Sequence, residues 1–544
     1  MRNGARTDSA GISRPRIGRR EIGFVLIGAG ALAALTSIPY LVGLALRDPA
    51  ARFNGVLAFE QDQNFYLANM RQASRGHFLF RNPFTPEPHG HVFFNLEWLV
   101  GGWIAALPGS SLEIAFHVLR ILGIFGLFLA IYRLSAEFFT TETARSIVLI
   151  ALTTGGGFGW LLLVPGLAAR LHGVTFLDTY AGLHPFYWSL LTPHFLLGQA
   201  CATFALVQFL RAEGQGLVRP YVSAGLLVTL TGIVRPYDML VLLGAFALYL
   251  LATALVKGER NRDLILRRAV PLLVPIPLLG YQYWLSHAHP VYRWWYVQGT
   301  SIPPGPLSLA LSLGLLSLFL VFSLGNLGGF EGKRRAHVLA VCAFLAAVGV
   351  VYSYPLLKFA LQAATALAIP AALVATQRLE STMLSLGRRR AGAALLAGLL
   401  LVNAASSAVL WTRALRLIEH GEARTSRDLV AAYRWFDGRA GEHDVVMAAL
   451  ESGNRIPRYS SATSFLGHIF CTVDAPAKAR SVQDFYSGTT SDESRLGLVR
   501  RFGIRYVFHG GAERALGTWD PARARWLTEV FRNGAAAIYS VKQR

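Results

Sequence analysis

A reading of this chain for chemistry begins at Asp62, in Glu60-Gln61-Asp62-Gln63-Asn64-Phe65-Tyr66, at the head of a polar stretch that follows the first long apolar run. An unpaired carboxylate in hydrocarbon is costly, so Asp62 must face water or a reacting group. An ionised Asp at an aqueous rim suits a base that takes a proton from a hydroxyl or amide, with Glu60 as the fallback base. The competing reading is that Asp62 only caps a helix N-terminus.

The other chemically capable groups are spread along the chain. Segment 170–190 holds one acid, Asp178, with His172, Tyr180 and His184. That spacing is not a known ligand pattern, so no metal ligands are assigned, although a divalent metal is compatible with the sequence. His194, after Pro193, either donates to a phosphate or caps a kink. Arg235 lies in a tight turn before Pro236, Arg293 lies in Tyr292-Arg293-Trp294-Trp295-Tyr296, and Lys358 is set among Leu356, Leu357, Phe359 and Ala360. All three can neutralise a phosphate, and each can equally snorkel to lipid headgroups.

The elements that position these groups are membrane helices. The 544 residues are 53% hydrophobic and 15% charged, and the apolar runs are about 17–25 residues long, enough for a helix to cross a bilayer. About eleven spans are expected, at 22–46, 112–134, 144–168, 191–210, 219–234, 237–256, 267–286, 307–327, 336–352, 355–376 and 391–411. Six arginines in the first 20 residues and a long first run argue for a retained anchor rather than a cleaved signal. The positive-inside rule places the basic segment 1–21 and the clusters at 257–268, 333–335 and 388–390 in the cytoplasm, provided 93–107 lies in the interface instead of crossing. The transmembrane domain is then 22–412 in the inner (plasma) membrane, with loop 47–111 and the region 425–544 outside. The formal charge of +21 reflects cytoplasmic anchoring and anionic lipid, not nucleic acid. Cys471 is alone in the external region, so no disulfide forms within it.

The external region alternates as a small α/β domain: helix 426–439, strand 445–450, helix 495–502, strand 505–509, helix 523–531 and strand 536–541. Gly453-Asn454 and Gly510-Gly511 read as turns, and no nucleotide-binding pattern accompanies them. In loop 47–111, a short helix over 62–75 puts Phe65, Asn69 and Gln72 on the face of Asp62, with Tyr66 beside it. Three prolines in 82–90 forbid regular helix, and the interfacial stretch with Glu97, Trp98 and Trp103 follows. The glycines of 155–159 permit close packing or a local break; no Lys follows to make a phosphate loop.

An acid on a juxtamembrane helix in the first external loop, here Asp62-Gln63-Asn64-Phe65-Tyr66 with Ala68 and Gly76, then an interfacial helix, resembles the GT-C superfamily of integral-membrane glycosyltransferases. Gln63 departs from the superfamily's frequent Glu. The layout over about residues 20–290, with an external C-terminal α/β domain, is similar to bacterial members. The resemblance implies a polytopic GT-C-like fold and hexosyl or pentosyl transfer from a polyprenyl-phosphate sugar to a glycan, lipid or protein acceptor of the cell envelope. It implies Asp62 as base, Asp178 orienting the acceptor or helping to hold a metal, and Tyr66, His194, Arg235, Arg293 and Lys358 toward the substrates. A lipid or solute transporter, or a non-catalytic envelope scaffold, are the alternatives. Transporters gather polar groups near the bilayer midplane, whereas these charges map to one external surface.

With single cysteines engineered into a cysteine-free background, a membrane-impermeant maleimide applied from outside should label a site near Asp520 and leave one near Lys333 unlabelled. The reverse pattern means an inverted topology.

Overall fold

The computed structural model describes residues 17–180, 182–256, 258–324, 334–377 and 390–542. Most of the N-terminal arginines, together with Lys257, Lys333, Arg388 and Arg389, lie outside the described residues. Helix α1 (Arg19–Ala45) leads into strand β1 (Ala51–Phe53), helix α2 (Glu60–Ser74), helix α3 (Leu96–Ala105) and helix α4 (Leu112–Ala136). Ten residues rise only about 15 Å, half a bilayer core, so α3 does not cross. It packs on α2 because Gly102 has no side chain: a Cβ there would stand 2.2 Å from Ala73 Cβ and 2.5 Å from Met70 O.

Among the described residues the apolar runs are largely helical, but not all as single rods. Among the described residues, Arg19–Ala45, Leu112–Ala136, Pro193–Gln215, Pro236–Leu255, Arg262–Ala288 and Ala397–Glu419 are each long and apolar enough to span alone. Ile27, Leu44 and Leu255 present 74%, 67% and 75% of their surface outward, as lipid-facing side chains do. The run expected at 144–168 is broken: α5 (Glu142–Thr154) stops at Gly155, and the amides of Gly157 and Gly159 donate to Asp178 Oδ2 at 3.0 and 3.1 Å. The run at 307–327 divides at Gly314, whose φ is +63°. The run at 355–376 begins as turns and becomes helical only at Ala360–Ala366 and Ala368–Gln377. Lys358 therefore lies in the turn, not one helical turn inside a span.

The C-terminal domain is a five-stranded sheet with helices. Strands β3 (Val445–Met447), β4 (Thr463–Ser464), β5 (Ile504–His509), β6 (Leu527–Arg532) and β7 (Ala537–Val541) lie in the order β4-β3-β5-β7-β6. The β3 pairings are parallel, whereas β7 is antiparallel to both β5 and β6. Two expectations fail here. Segment 523–531 is mostly strand β6, because Asn533 Oδ1 accepts from the amides of Ala535 and Ala536 and turns the chain into a hairpin with β7. Gly453-Asn454 lies inside helix Leu450–Tyr459, where a Cβ on residue 453 would meet Leu466 O at 2.0 Å.

This domain is joined to the segment between α1 and α4. β1 pairs antiparallel with β2 (Arg424–Ser426), Ala51 opposite Ser426 and Phe53 opposite Arg424. Arg458, with a side chain 3% exposed, donates to Glu113 Oε1 in the first turn of α4 at 2.6 Å, to Asn64 Oδ1 on α2 at 3.1 Å and to the carbonyl of Asn54. Removing one partner of a buried ion pair strands the other charge. Arg458→Met should destabilise the docked domain by about 3–5 kcal/mol, seen as a lowered unfolding temperature in detergent and release of the C-terminal domain by limited proteolysis.

Candidate active site

A left-handed turn at Phe59 (φ 53°) starts α2 and sends its first turn toward a cavity of about 1470 Å³. Phe59 is thus the N-cap residue, and Asp62 is not. Asp62 lines the cavity with its side chain 45% exposed. Its Oδ1 lies 3.1 Å from Nε2 of His468, which comes from the C-terminal domain. His468 Nδ1 accepts from the amides of Phe470 and Cys471 at 3.1 and 3.3 Å, so the ring proton sits on Nε2 and is donated to Asp62. One carboxylate oxygen is thereby fixed, and the group still borders open space.

Glu60 also lines the cavity, held bidentately by Arg455 at 2.8 and 2.9 Å. Burial pushes its carboxyl upward, but the Arg455 hydrogen bonds and charge outweigh this and hold it below the usual range. Tyr66 stacks on Trp98 (5.4 Å) and meets His194 edge-on (4.8 Å). Burial, reinforced by Asp62 and Glu97, pushes the Tyr66 phenol well up. His194 lines the cavity, and its Nδ1 is buried without a hydrogen bond.

Arg235 is the one expected cation that lines the cavity. It lies over the Phe195 ring at 3.9 Å, its Nε paired with Asp238 at 2.7 Å and its Nη2 donating to Gln362 O at 2.9 Å. Arg293 is exposed, and Lys358 is half-buried over the Tyr354 ring; neither lines the cavity. Asp178 is buried at the helix break instead, its Oδ2 taken by the glycine amides. The structure therefore gathers Asp62, Glu60, Tyr66, His194 and Arg235, and leaves Asp178, Arg293 and Lys358 outside that wall.

Sequence reasoning missed His468, Asn454 and Arg455, all lining residues. Glu451, Asn454, Arg455 and Arg458 follow helical spacing, a signal hidden by reading Gly453-Asn454 as a turn. It also left Glu97 without a role. Glu97 lies in the first turn of α3, 5% exposed, with Oε2 buried and unbonded. As for a metal, Glu60 is committed to Arg455 and Asp178 to backbone amides. Among the described residues no third His, Cys, Asp or Glu joins Asp62 and His468 at ligand distance. This donor set does not fit a resident metal.

The fold is that of the GT-C glycosyltransferases, on a multi-pass membrane protein. The archaeal oligosaccharyltransferase of Archaeoglobus fulgidus in its apo form superposes with a TM-score of 0.56, at 11% identity over 96% of this chain and 74% of its own. ArnT from Cupriavidus metallidurans bound to undecaprenyl phosphate gives 0.53, at 12% identity over 95% and 98%. The mycobacterial arabinofuranosyltransferase AftD gives 0.55, at 15% identity over 97% of this chain and 42% of that one. No family model and no curated protein matches the sequence.

Burial raises Glu97 from 4.5 to about 8, against the pull of Arg235. The folded state thus holds a proton that the unfolded chain releases between those values. That contribution to stability is complete below about pH 4.5 and is lost as pH rises toward about 8. Glu97→Gln, a permanent mimic of the neutral acid, should flatten the decline, so the unfolding temperature of the variant should gain on wild type between pH 6 and 8.5.

Proposed function

We propose that the protein transfers a glycosyl group from a polyprenyl-phosphate donor to an envelope acceptor at the outer face of the membrane. The observation that carries this reading is that Asp62, His194 and Arg235 line one cavity within a GT-C fold. The cavity exceeds the roughly 300–1000 Å³ of a small-ligand pocket, as a site for two substrates should. Its wall includes Leu278, Leu279 and Tyr283, on a helix whose outward Leu273 and Ile276 suit an apolar tail. Related folds are solved with undecaprenyl phosphate and with dolichol-phosphate plus an inhibitory peptide.

In this reading the acceptor oxygen or nitrogen attacks the anomeric carbon, the bond from that carbon to the phosphate oxygen breaks, and the prenyl phosphate departs. Asp62 takes the acceptor proton. His468 holds the carboxylate in place through Oδ1, leaving Oδ2 for the acceptor. Arg235, pre-oriented by Asp238, faces the charge that develops on the leaving phosphate. Although the Archaeoglobus enzyme has been solved with zinc and sulfate, no step here runs through a metal. Sugar and acceptor stay at the level of class.

The test is a transfer assay with purified protein and a panel of polyprenyl-phosphate sugars. Asp62→Asn should depress turnover while leaving donor binding near wild type, because an amide can hydrogen-bond but cannot take the proton. Unchanged turnover removes Asp62 as base. Arg235→Gln should weaken donor binding about ten- to a hundredfold, the loss of one charge-assisted contact, whereas Lys358→Met and Arg293→Met should alter it little. Equal loss from all three would point to general attraction of anionic lipid.

A further inference from the structure

At the far end of α2 from Asp62, the first external loop and the C-terminal domain meet a second time. Gly76 (φ +96°) turns the chain after α2, and an antiparallel bridge between Phe80 and Phe93 returns it. The bridge lays His77 beside His91, ring on ring, with centroids 4.5 Å apart and planes 5° apart. Both Nε2 atoms face one carboxylate from the other domain: His77 lies 3.1 Å from Glu442 Oε1 and His91 3.3 Å from Oε2. Arg81 anchors Glu442 through its main-chain carbonyl and stands 3.8 Å from Oε2. His91 Nε2 is shielded from solvent yet lacks a hydrogen bond.

We propose that His77, His91 and Glu442 form a binding site for a divalent transition ion, zinc in the first instance, that staples the first external loop to the C-terminal domain. The three ligand atoms already lie within 4.8 Å of one another. A tetrahedral ion with bonds of about 2.0–2.2 Å needs its ligands roughly 3.3–3.5 Å apart, so the two nitrogen–oxygen pairs stand near that spacing. The two pairs use different carboxylate oxygens, so the imidazoles and the Glu442 carboxylate must rotate to bring both nitrogens and one oxygen to that spacing. Two imidazoles and one carboxylate select a borderline ion over calcium or magnesium, which take oxygen ligands. Water completes the fourth position. The neighbouring Arg81 charge opposes any cation, so the directional nitrogen bonds must supply the affinity. Glu442 lies just before β3, and the ion would therefore tie the sheet to the loop independently of Arg458 and of the proposed transferase reaction.

The experiment uses the full-length protein in detergent, its affinity tag removed and its metal stripped with EDTA, then titrated with zinc chloride. Wild type should bind one zinc per chain by elemental analysis, unfold at higher temperature with zinc than without, and resist proteolysis between the two domains when loaded. His77→Gln and His91→Gln keep a polar group toward Glu442 and should weaken zinc binding at least tenfold each. Both should elute in size exclusion as wild type does. His443→Gln, beside the site, should bind as wild type. Cobalt in place of zinc should give the visible absorption of a four-coordinate ion, and this band should be absent from the histidine variants. Stoichiometric zinc retained by the His77→Gln/His91→Gln double variant would overturn the proposal. So would a wild-type protein whose affinity and thermal response match the double variant, which would leave Glu442 as a plain ion-pair partner.

Discussion

Arg458 is a buried guanidinium that binds three pieces of chain at once: the first turn of α4 through Glu113, α2 through Asn64, and the end of β1 through the Asn54 carbonyl. A guanidinium taken out of water must have all these partners or it costs more than it returns, so the loop and the domain can dock in only one register. Asn454, one turn earlier on the same helix, extends that register: its Oδ1 accepts from Asn64 Nδ2 at 2.8 Å and its Nδ2 donates to the Gln61 carbonyl at 3.2 Å. From there the seam runs to Arg455 with Glu60 and to His468 with Asp62. The same polar contacts that hold the architecture together thus also position the Asp62 carboxylate at the cavity wall.

The seam also distinguishes two acids that stand two residues apart. Glu60 and Asp62 both line the cavity, but Arg455 saturates Glu60 with two hydrogen bonds, whereas His468 offers Asp62 a single one. Asp62 is the more solvated of the two, its side chain 45% exposed against 32% for Glu60. Arg235 shows the complementary arrangement: it sits in the extended link after Val218–Val234, and its charge is balanced by Asp238 in the first turn of the next helix, Pro236–Val256, so the guanidinium can stay buried at a cavity wall.

What the sequence made legible was local. Hydropathy located the helical runs, the short length of the stretch around Trp98 identified an element that cannot cross, and a carboxylate that could not be buried in lipid pointed to Asp62. The glycines of 155–159 were readable as a break, but Asp178 as the group that caps it was not. The hairpin of β6 and β7 was missed although Asn533-Gly534 announces one, because an amphipathic period over Leu527 and Phe531 fits helix and strand alike over so short a segment. The partners of the site were illegible for a different reason. Asp62 and His468 are 406 residues apart, and Glu60 and Arg455 are 395 apart. No propensity or period reaches across such separations; they are set by docking of one finished surface on another.

That separation has a consequence for how the protein is made. At a synthesis rate of about 5–20 residues per second, His468 leaves the ribosome roughly 20–80 s after Asp62. During that interval α2 has no Arg455, Asn454 or Arg458 to meet, and β1 lacks β2. Membrane insertion of the early helices therefore proceeds with the first loop unfinished, and a chain truncated before residue 454 would leave α2 without these partners. The part of the cavity wall contributed by Asn454, Arg455 and His468 is therefore completed only when translation is nearly finished.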